Sequence, residues 1–253
     1  MRRYSLSLAA AAFLISIASA KAVEINVLAP GVAFNAGLPA LADAYTKKTG
    51  VQVNVKSDGM SAIVGHIKTG TPIVDVMVLP VAFMDGMEAE GGLKPGSRVE
   101  LGRVSVGLAV PKGGPHPDIS TVAKLAAALK SGGTVLYSDP ATGSMEARII
   151  NDMLHRPEFA GVKSKISTKG EGGEALVRGE GQMALQLACE VLNHPELELV
   201  GLVPSQLRTF IDTAAAVSGR SEAPDAAQAF VAYLKTPEAA ILMKSKGMTP
   251  AGK

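Results

Sequence analysis

Short β-branched runs alternate with segments of helical periodicity along almost the whole chain, and this alternation is what most restricts the fold. Val23–Leu28, Val51–Lys56, Val74–Leu79, Val104–Val110 and Thr134–Ser138 are apolar runs bounded by Gly, Pro or Asp. Near-continuous runs of this kind suit strands buried on both faces of a parallel sheet. Between them Leu38, Leu41, Ala42 and Tyr45 recur at helical spacing, with Gly50 as the stop, and Val122, Leu125 and Leu129 do the same before Gly132-Gly133. Near the C-terminus Ala226, Phe230, Tyr233 and Leu234 make one apolar face. Thr236-Pro237-Glu238 then reads as a cap, a proline in the first turn and an acidic first turn, with Gly247 as the end of that helix. The alternation predicts an α/β fold with parallel sheets.

Two Gly/Ser loops sit where a strand-like run gives way to a helix-like one: Gly59-Met60-Ser61-Ala62 and Tyr137-Ser138-Asp139-Pro140-Ala141-Thr142-Gly143-Ser144. Such a junction aims unpaired backbone N–H groups and the positive end of a helix dipole at one point, which suits a small anion. Either loop alone reads equally as a plain turn, and Ser61 also reads as a helix cap. Together they predict an anion-binding cleft between two halves of the molecule.

The first 20 residues read as a secretory signal peptide: Arg2 and Arg3, an apolar run from Leu6 to Ile17, then Ala18-Ser19-Ala20. The run is shorter than the about 20 apolar residues that span a bilayer. Cleavage before Lys21 or Val23 predicts a periplasmic or secreted protein without stable membrane insertion. Loss of the two arginines lowers the formal charge from +2 to zero. With no basic cluster, nothing favours nucleic acid or a membrane surface as partner. The single cysteine, Cys189, cannot form an internal disulfide and lies in an apolar run, as a small core residue does. The roughly 230 residues that remain suffice to bury a core, as one large domain or two lobes.

Several chemistries lack their residues. His66, His116, His155 and His194 are scattered without metal-ligand spacing. Met77, Met84 and Met87 read as core filler and Asp75 as a structural acid. No Ser/His/Asp order, phosphate-binding Gly-Lys-Ser/Thr or dinucleotide fingerprint is present.

The segment Gly59 to Val76 resembles the Ser-Gly…Gln-Ile…Gly-Ala-Pro-Ala-Asp-Val landmark of the molybdate-binding branch of type II periplasmic solute-binding proteins of ABC transporters. Ser138-Asp139-Pro140-Ala141-Thr142-Gly143 resembles its second anion loop, and Gly179-Glu180-Gly181-Gln182 and Pro224 to Gly247 follow its later landmarks in order. The resemblance implies two α/β lobes around a cleft with a double crossover, near Leu101–Ala109 and Leu207–Val217. Lobe one would hold 21–104 and 210–253, and lobe two 105–209. It also implies a monomer, without cofactor, that hands a small anionic ligand to an ABC transporter permease.

Carried over by position, Ser61 would hold an oxyanion with its hydroxyl and N–H, and Gly143, Ser144 and Met145 would supply N–H groups. Ala33 falls where the family has a further Ser, and Leu187 where it has a Tyr. Those two departures point away from molybdate itself. Gln186 could read a larger polar ligand such as a hydroxylated carboxylate, and Arg103, near the crossover, could pair a carboxylate. Two further readings stand beside a transport protein. One is a tricarboxylate isomerase similar to aconitate isomerase, for which Glu146 and Glu171 lie close to the loops as candidate bases. The other is a sensor that presents its ligand to a membrane receptor.

Overall fold

The computed structural model describes residues 23–252. The signal peptide and its cleavage points at Lys21 and before Val23 fall on or at the border of residues outside that range. From β1 (Glu24–Ala29) the chain forms α1 (Gly31–Asn35), α2 (Leu38–Thr49), β2 (Gln52–Ser57), α3 (Met60–Thr69), β3 (Val76–Pro80), α4 (Val81–Ala89) and the long β4 (Val99–Pro111). It continues through α5 (Val122–Ser131), β5 (Val135–Tyr137), α6 (Met145–Leu154), β6 (Ser164–Ile166), α7 (Gly172–Val177), β7 (Met183–Leu187), α8 (Ala188–Val191) and β8 (Leu197–Leu202). The last elements are β9 (Phe210–Val217), α9 (Pro224–Tyr233), α10 (Pro237–Ser245) and β10 (Met248–Pro250).

The helix signals act as the side-chain chemistry requires. Thr121 accepts a bond from the Lys124 N–H and Thr236 one from the Ala239 N–H, while Gly50 ends α2 in the left-handed conformation at φ 78°. Tyr45 of α2 meets Phe230 of α9 edge-on, with ring centroids 5.2 Å apart. This aromatic contact packs the C-terminal helices onto the N-terminal half. Ile63, Met77 and Met84 fill a separate core beneath α3.

The strands run in the order β2-β1-β3-β9-β4-β7-β5-β6, with β8 and β10 also on β4. β1 pairs parallel with β2 and β3, and β5 parallel with β6 and β7. The expectation of wholly parallel sheets needs correction at the centre: β4 is antiparallel to β7, β8, β9 and β10, and β3 is antiparallel to β9. β4 changes partners midway. Residues 99–105 pair with β9, and residues 106–111 lie against β7 and β8. The returning chain crosses at the same level, where Val106 accepts from the Val203 N–H and donates to the Thr209 carbonyl. The fold is therefore a mixed α/β architecture in two lobes joined by a double crossover.

Asp75 is a structural acid in this fold. Its carboxylate accepts from the Asn26 N–H, the Ser221 hydroxyl and the Glu222 and Ala223 N–H groups, latching β3 to the start of α9.

Candidate functional site: a cleft where six helices begin

Each parallel strand with a following helix delivers that helix to one place. β1, β2, β3, β5, β6 and β7 lead, directly or through a short loop, into α1, α3, α4, α6, α7 and α8. The residues that precede these helices are Pro30, Gly59, Pro80, Ser144, Glu171 and Leu187, and all six line a single cavity of about 460 Å³. This is where α/β proteins receive ligands, beyond the carboxyl ends of the strands, and its size is that of a small-molecule site.

The two Gly/Ser loops meet there. Gly59, Met60, Ser61 and Ala62 form one wall, and Thr142, Gly143, Ser144 and Met145 another. In α3 the first helical bond runs from the Ile63 N–H to the Gly59 carbonyl, so the N–H groups of Met60, Ser61 and Ala62 have no partner within the helix. Gly59, rather than Ser61, occupies the cap, and no side chain caps this helix. In α6 the Ser144 hydroxyl accepts from the Ala147 N–H and the Ser144 carbonyl from the Arg148 N–H. Met145 and Glu146 keep the N–H groups left over. The Arg148 guanidinium takes the carbonyl oxygens of Gly143 and Ser144, which fixes the loop, and Gly143 turns it at φ 82° with open space around its Cα.

Three other expected residues do not face the cavity. Ala33 is buried in α1, where its N–H goes to the Pro30 carbonyl; Gly31 and Val32 line the cleft instead. Arg103 borders a different groove with Glu100 and Asp212, and its guanidinium is committed to the Asp212 carboxylate. Gln186 is fully buried behind the wall. Its carbonyl accepts from the Gly173 N–H and its amide donates to Glu171 and Glu190, so both of its N–H donors are committed to holding acids in place. Leu187, at the family tyrosine position, does line the cavity.

What Gln186 holds is the chemically distinctive part of the site. Glu146, Glu171 and Glu190 all line the cavity, as does Asp58, and no Lys, Arg or His does among the described residues. Burial, then the charges of Glu190 and Glu171, push the Glu146 carboxyl well above the usual carboxylate range, against a bond from the Leu187 N–H. Burial and the Glu171 charge raise Glu190 to about 8, opposed by bonds from Gln186, Asn35 and Leu187. Glu171 is also raised, by burial and by Glu174, with His194 and Gln186 acting the other way. Asp58 behaves oppositely: the Gly59 N–H and His66 hold it below the usual range. His66 reaches Asp58 at 3.3 Å without itself lining the cavity. Among the described residues no group of three or more His, Cys, Asp or Glu is arranged to hold a metal ion.

Glu190 and Asp58 were not singled out from sequence. Glu190 was findable, as the one acid within the apolar stretch Leu187 to Val191. Cys189 beside it is buried, with its thiol pushed up by burial and the neighbouring glutamates, an inert core residue.

A family model described as bacterial extracellular solute-binding protein matches residues 9–249. A relative named aconitate isomerase, from Pseudomonas sp, is 30% identical over 215 residues, which is 83% of this chain and 82% of that protein. Among solved structures, the substrate binding domain of a putative molybdenum ABC transporter from Clostridium difficile superposes with a TM-score of 0.75 at 15% identity, covering 91% of this chain and 100% of that one. The Azotobacter vinelandii periplasmic molybdate-binding protein does so with a TM-score of 0.65 at 16% identity, covering 90% and 99%.

Proposed function

Because the chain belongs to the bacterial extracellular solute-binding proteins, we propose that its cleft captures a small anion in the periplasm and delivers it to an ABC permease. The observation that carries this reading is the convergence of α3 and α6 on one cavity, each offering unpartnered N–H groups from its first turn. The anion is held by backbone donors and by Ser61, with no countercharge. Closure brings the Ser61 wall, on the body built from 21–104 and 210–253, onto the Ser144 wall, on the body built from 105–209. The change of partners in β4 between Ser105 and Val106 supports those boundaries. A thermal-shift panel of molybdate, tungstate, sulfate, citrate and cis- and trans-aconitate tests the reading. The ligand at about 100 times its Kd stabilises by about 2.7 kcal/mol, and a panel without any shift refutes it.

A second reading is favoured by a specific observation. One oxygen of the Glu146 carboxyl, Oε1, is buried without a hydrogen-bond partner at the cavity wall. In its ionised form a carboxylate of raised pKa is a stronger base than an ordinary one, and beside a bound polycarboxylate alkene it can take a proton from a saturated carbon and return it to the far alkene carbon, shifting the double bond without net change in composition. The relative named aconitate isomerase supports this chemistry. Incubation with cis-aconitate, followed by chromatography for the trans isomer, decides it: isomer formed by the wild type and lost in Glu146→Gln supports an isomerase, and no isomer leaves a binding protein.

A further inference from the structure

The anion reading meets a difficulty inside the cavity itself. The wall that receives a negative ligand carries Asp58, Glu146, Glu171 and Glu190 and no basic side chain among the described residues. Gln186 draws Glu171 and Glu190 together, because its single amide nitrogen donates to both. Glu146 faces the same space from α6, only 5% exposed, with Oε1 lacking any partner. A buried carboxylate oxygen in its ionised form needs donors, and this one has none. As a carboxylic acid it becomes the donor, with its O–H free to point at a ligand oxygen.

Resting on the anion reading, we infer that Glu146 reads the ligand as a neutral acid, that the ligand is a small organic carboxylate, and that binding takes up a proton onto the Glu146–Glu171–Glu190 cluster. The cavity of about 460 Å³ has room for several carboxyl groups around a carbon skeleton. Helix-end N–H groups serve one carboxylate of the ligand while the Glu146 acid serves another. Two negative groups sharing a buried site cannot both stay ionised, so a ligand carboxylate tightens the hold of its glutamate neighbours on protons.

Glu174 and His194 act on Glu171 from α7 and from the turn after α8. Cys189 lies beside Glu190, its thiol pushed further from ionising. On α6 itself Arg148 is engaged by the Gly143 and Ser144 carbonyls, and Asp152 lies two turns along. On β9, Asp212 is bound to Arg103. Asp58, held ionised by Gly59 and His66, adds to the need for neutral glutamates.

Calorimetry with trans-aconitate and citrate at pH 7 and pH 9.5, each in two buffers of different ionisation enthalpy, tests this. Ordinary carboxyls are ionised across that range, so a proton taken up reports a carboxyl whose hold on it is raised in the complex, and the double variant below places it on the cluster. The expected result is an affinity at least tenfold weaker at pH 9.5, with close to one proton bound per ligand there and little at pH 7. In Glu146→Gln/Glu190→Gln the pH dependence collapses. Equal affinity at both pH values with no buffer-dependent heat overturns the inference and leaves an anion site standing. Tight binding of molybdate with none of either carboxylate also overturns it. If no anion binds at all, the anion reading fails and this inference with it. The wild-type titrations decide the matter even if the double variant does not fold.

Discussion

Arg103 and Asp212 are register partners on the adjacent strands β4 and β9, joined by two parallel bonds, Nε to Oδ1 at 2.7 Å and the second guanidinium nitrogen to Oδ2 at 2.8 Å. The guanidinium also lies over the Phe210 ring, 3.4 Å from its centroid. An arginine so engaged on two sides is unavailable to a ligand. Both side chains are over two-fifths exposed, so the pair is screened by solvent. Arg103→Ala is therefore expected to cost about 1 kcal/mol of stability or less and to leave ligand affinity within twofold. A large loss of affinity, measured by calorimetry with the best ligand of the panel, would return Arg103 to the site.

The two serines of the cleft separate by experiment, because only one of them caps a helix. Ser144→Ala removes the acceptor of the Ala147 N–H and is expected to lower stability by about 1 kcal/mol. Ser61 lies beyond the cap of α3 on an exposed stretch, so Ser61→Ala should leave the melting curve in place. It should weaken ligand binding by the worth of one hydroxyl bond, about 0.5–1.5 kcal/mol. Denaturation curves and calorimetry on both variants check the contrast; identical behaviour of the two would contradict it.

The parallel halves of the fold were legible because their strands are β-branched runs and their helices carry caps and glycine stops. β9 was not legible as a strand. Its Thr213-Ala214-Ala215-Ala216-Val217 core is rich in alanine, a residue depleted in strands, and alanine is tolerated because β9 is a central strand covered by neighbours. The place of the cleft was legible from Gly59–Ala62 and Gly143-Ser144, since a helix start after a strand has a fixed geometry. Which polar side chains enter it was not. Arg103 is satisfied by Asp212, far away in sequence, Gln186 by groups that packing brings to it from the start of α7 and from α8, and Glu190 and Glu146 gain their character from burial beside one another.

Gly173 has no side chain for a reason visible at Gln186. A Cβ built there would sit 2.5 Å from the Gln186 carbonyl oxygen, which accepts from the Gly173 N–H and is held in place by two glutamates. Gly173→Ala must push that amide off both acids. The expected loss is about 1–3 kcal/mol of stability from overpacking, together with weakened ligand binding from displaced glutamates. A midpoint in urea unchanged from wild type would show that Gln186 can move freely and does not organise the cluster.

Glu190 gives the fold a pH dependence whose sign can be worked out. Burial and the Glu171 charge raise its carboxyl from 4.5 to about 8, so between those values the folded protein keeps a proton that the unfolded chain has shed. The resulting stability is fully present below the unfolded value and is lost as pH rises through about 8. The slope reaches of order 1 kcal/mol per pH unit for one proton. The carboxyls held low, Asp58, Asp118, Glu180 and Glu198, work in the opposite sense, but only as pH falls into the ordinary carboxylate range. Glu190→Gln keeps an acceptor for the Gln186 amide and removes the titration. Urea midpoints taken at pH 5, 6.5 and 8 should therefore fall more steeply for the wild type than for Glu190→Gln, with the gap moving in the variant's favour towards pH 8. Parallel trends over that range would mean that Glu190 ionises in the folded protein much as it does in the unfolded chain.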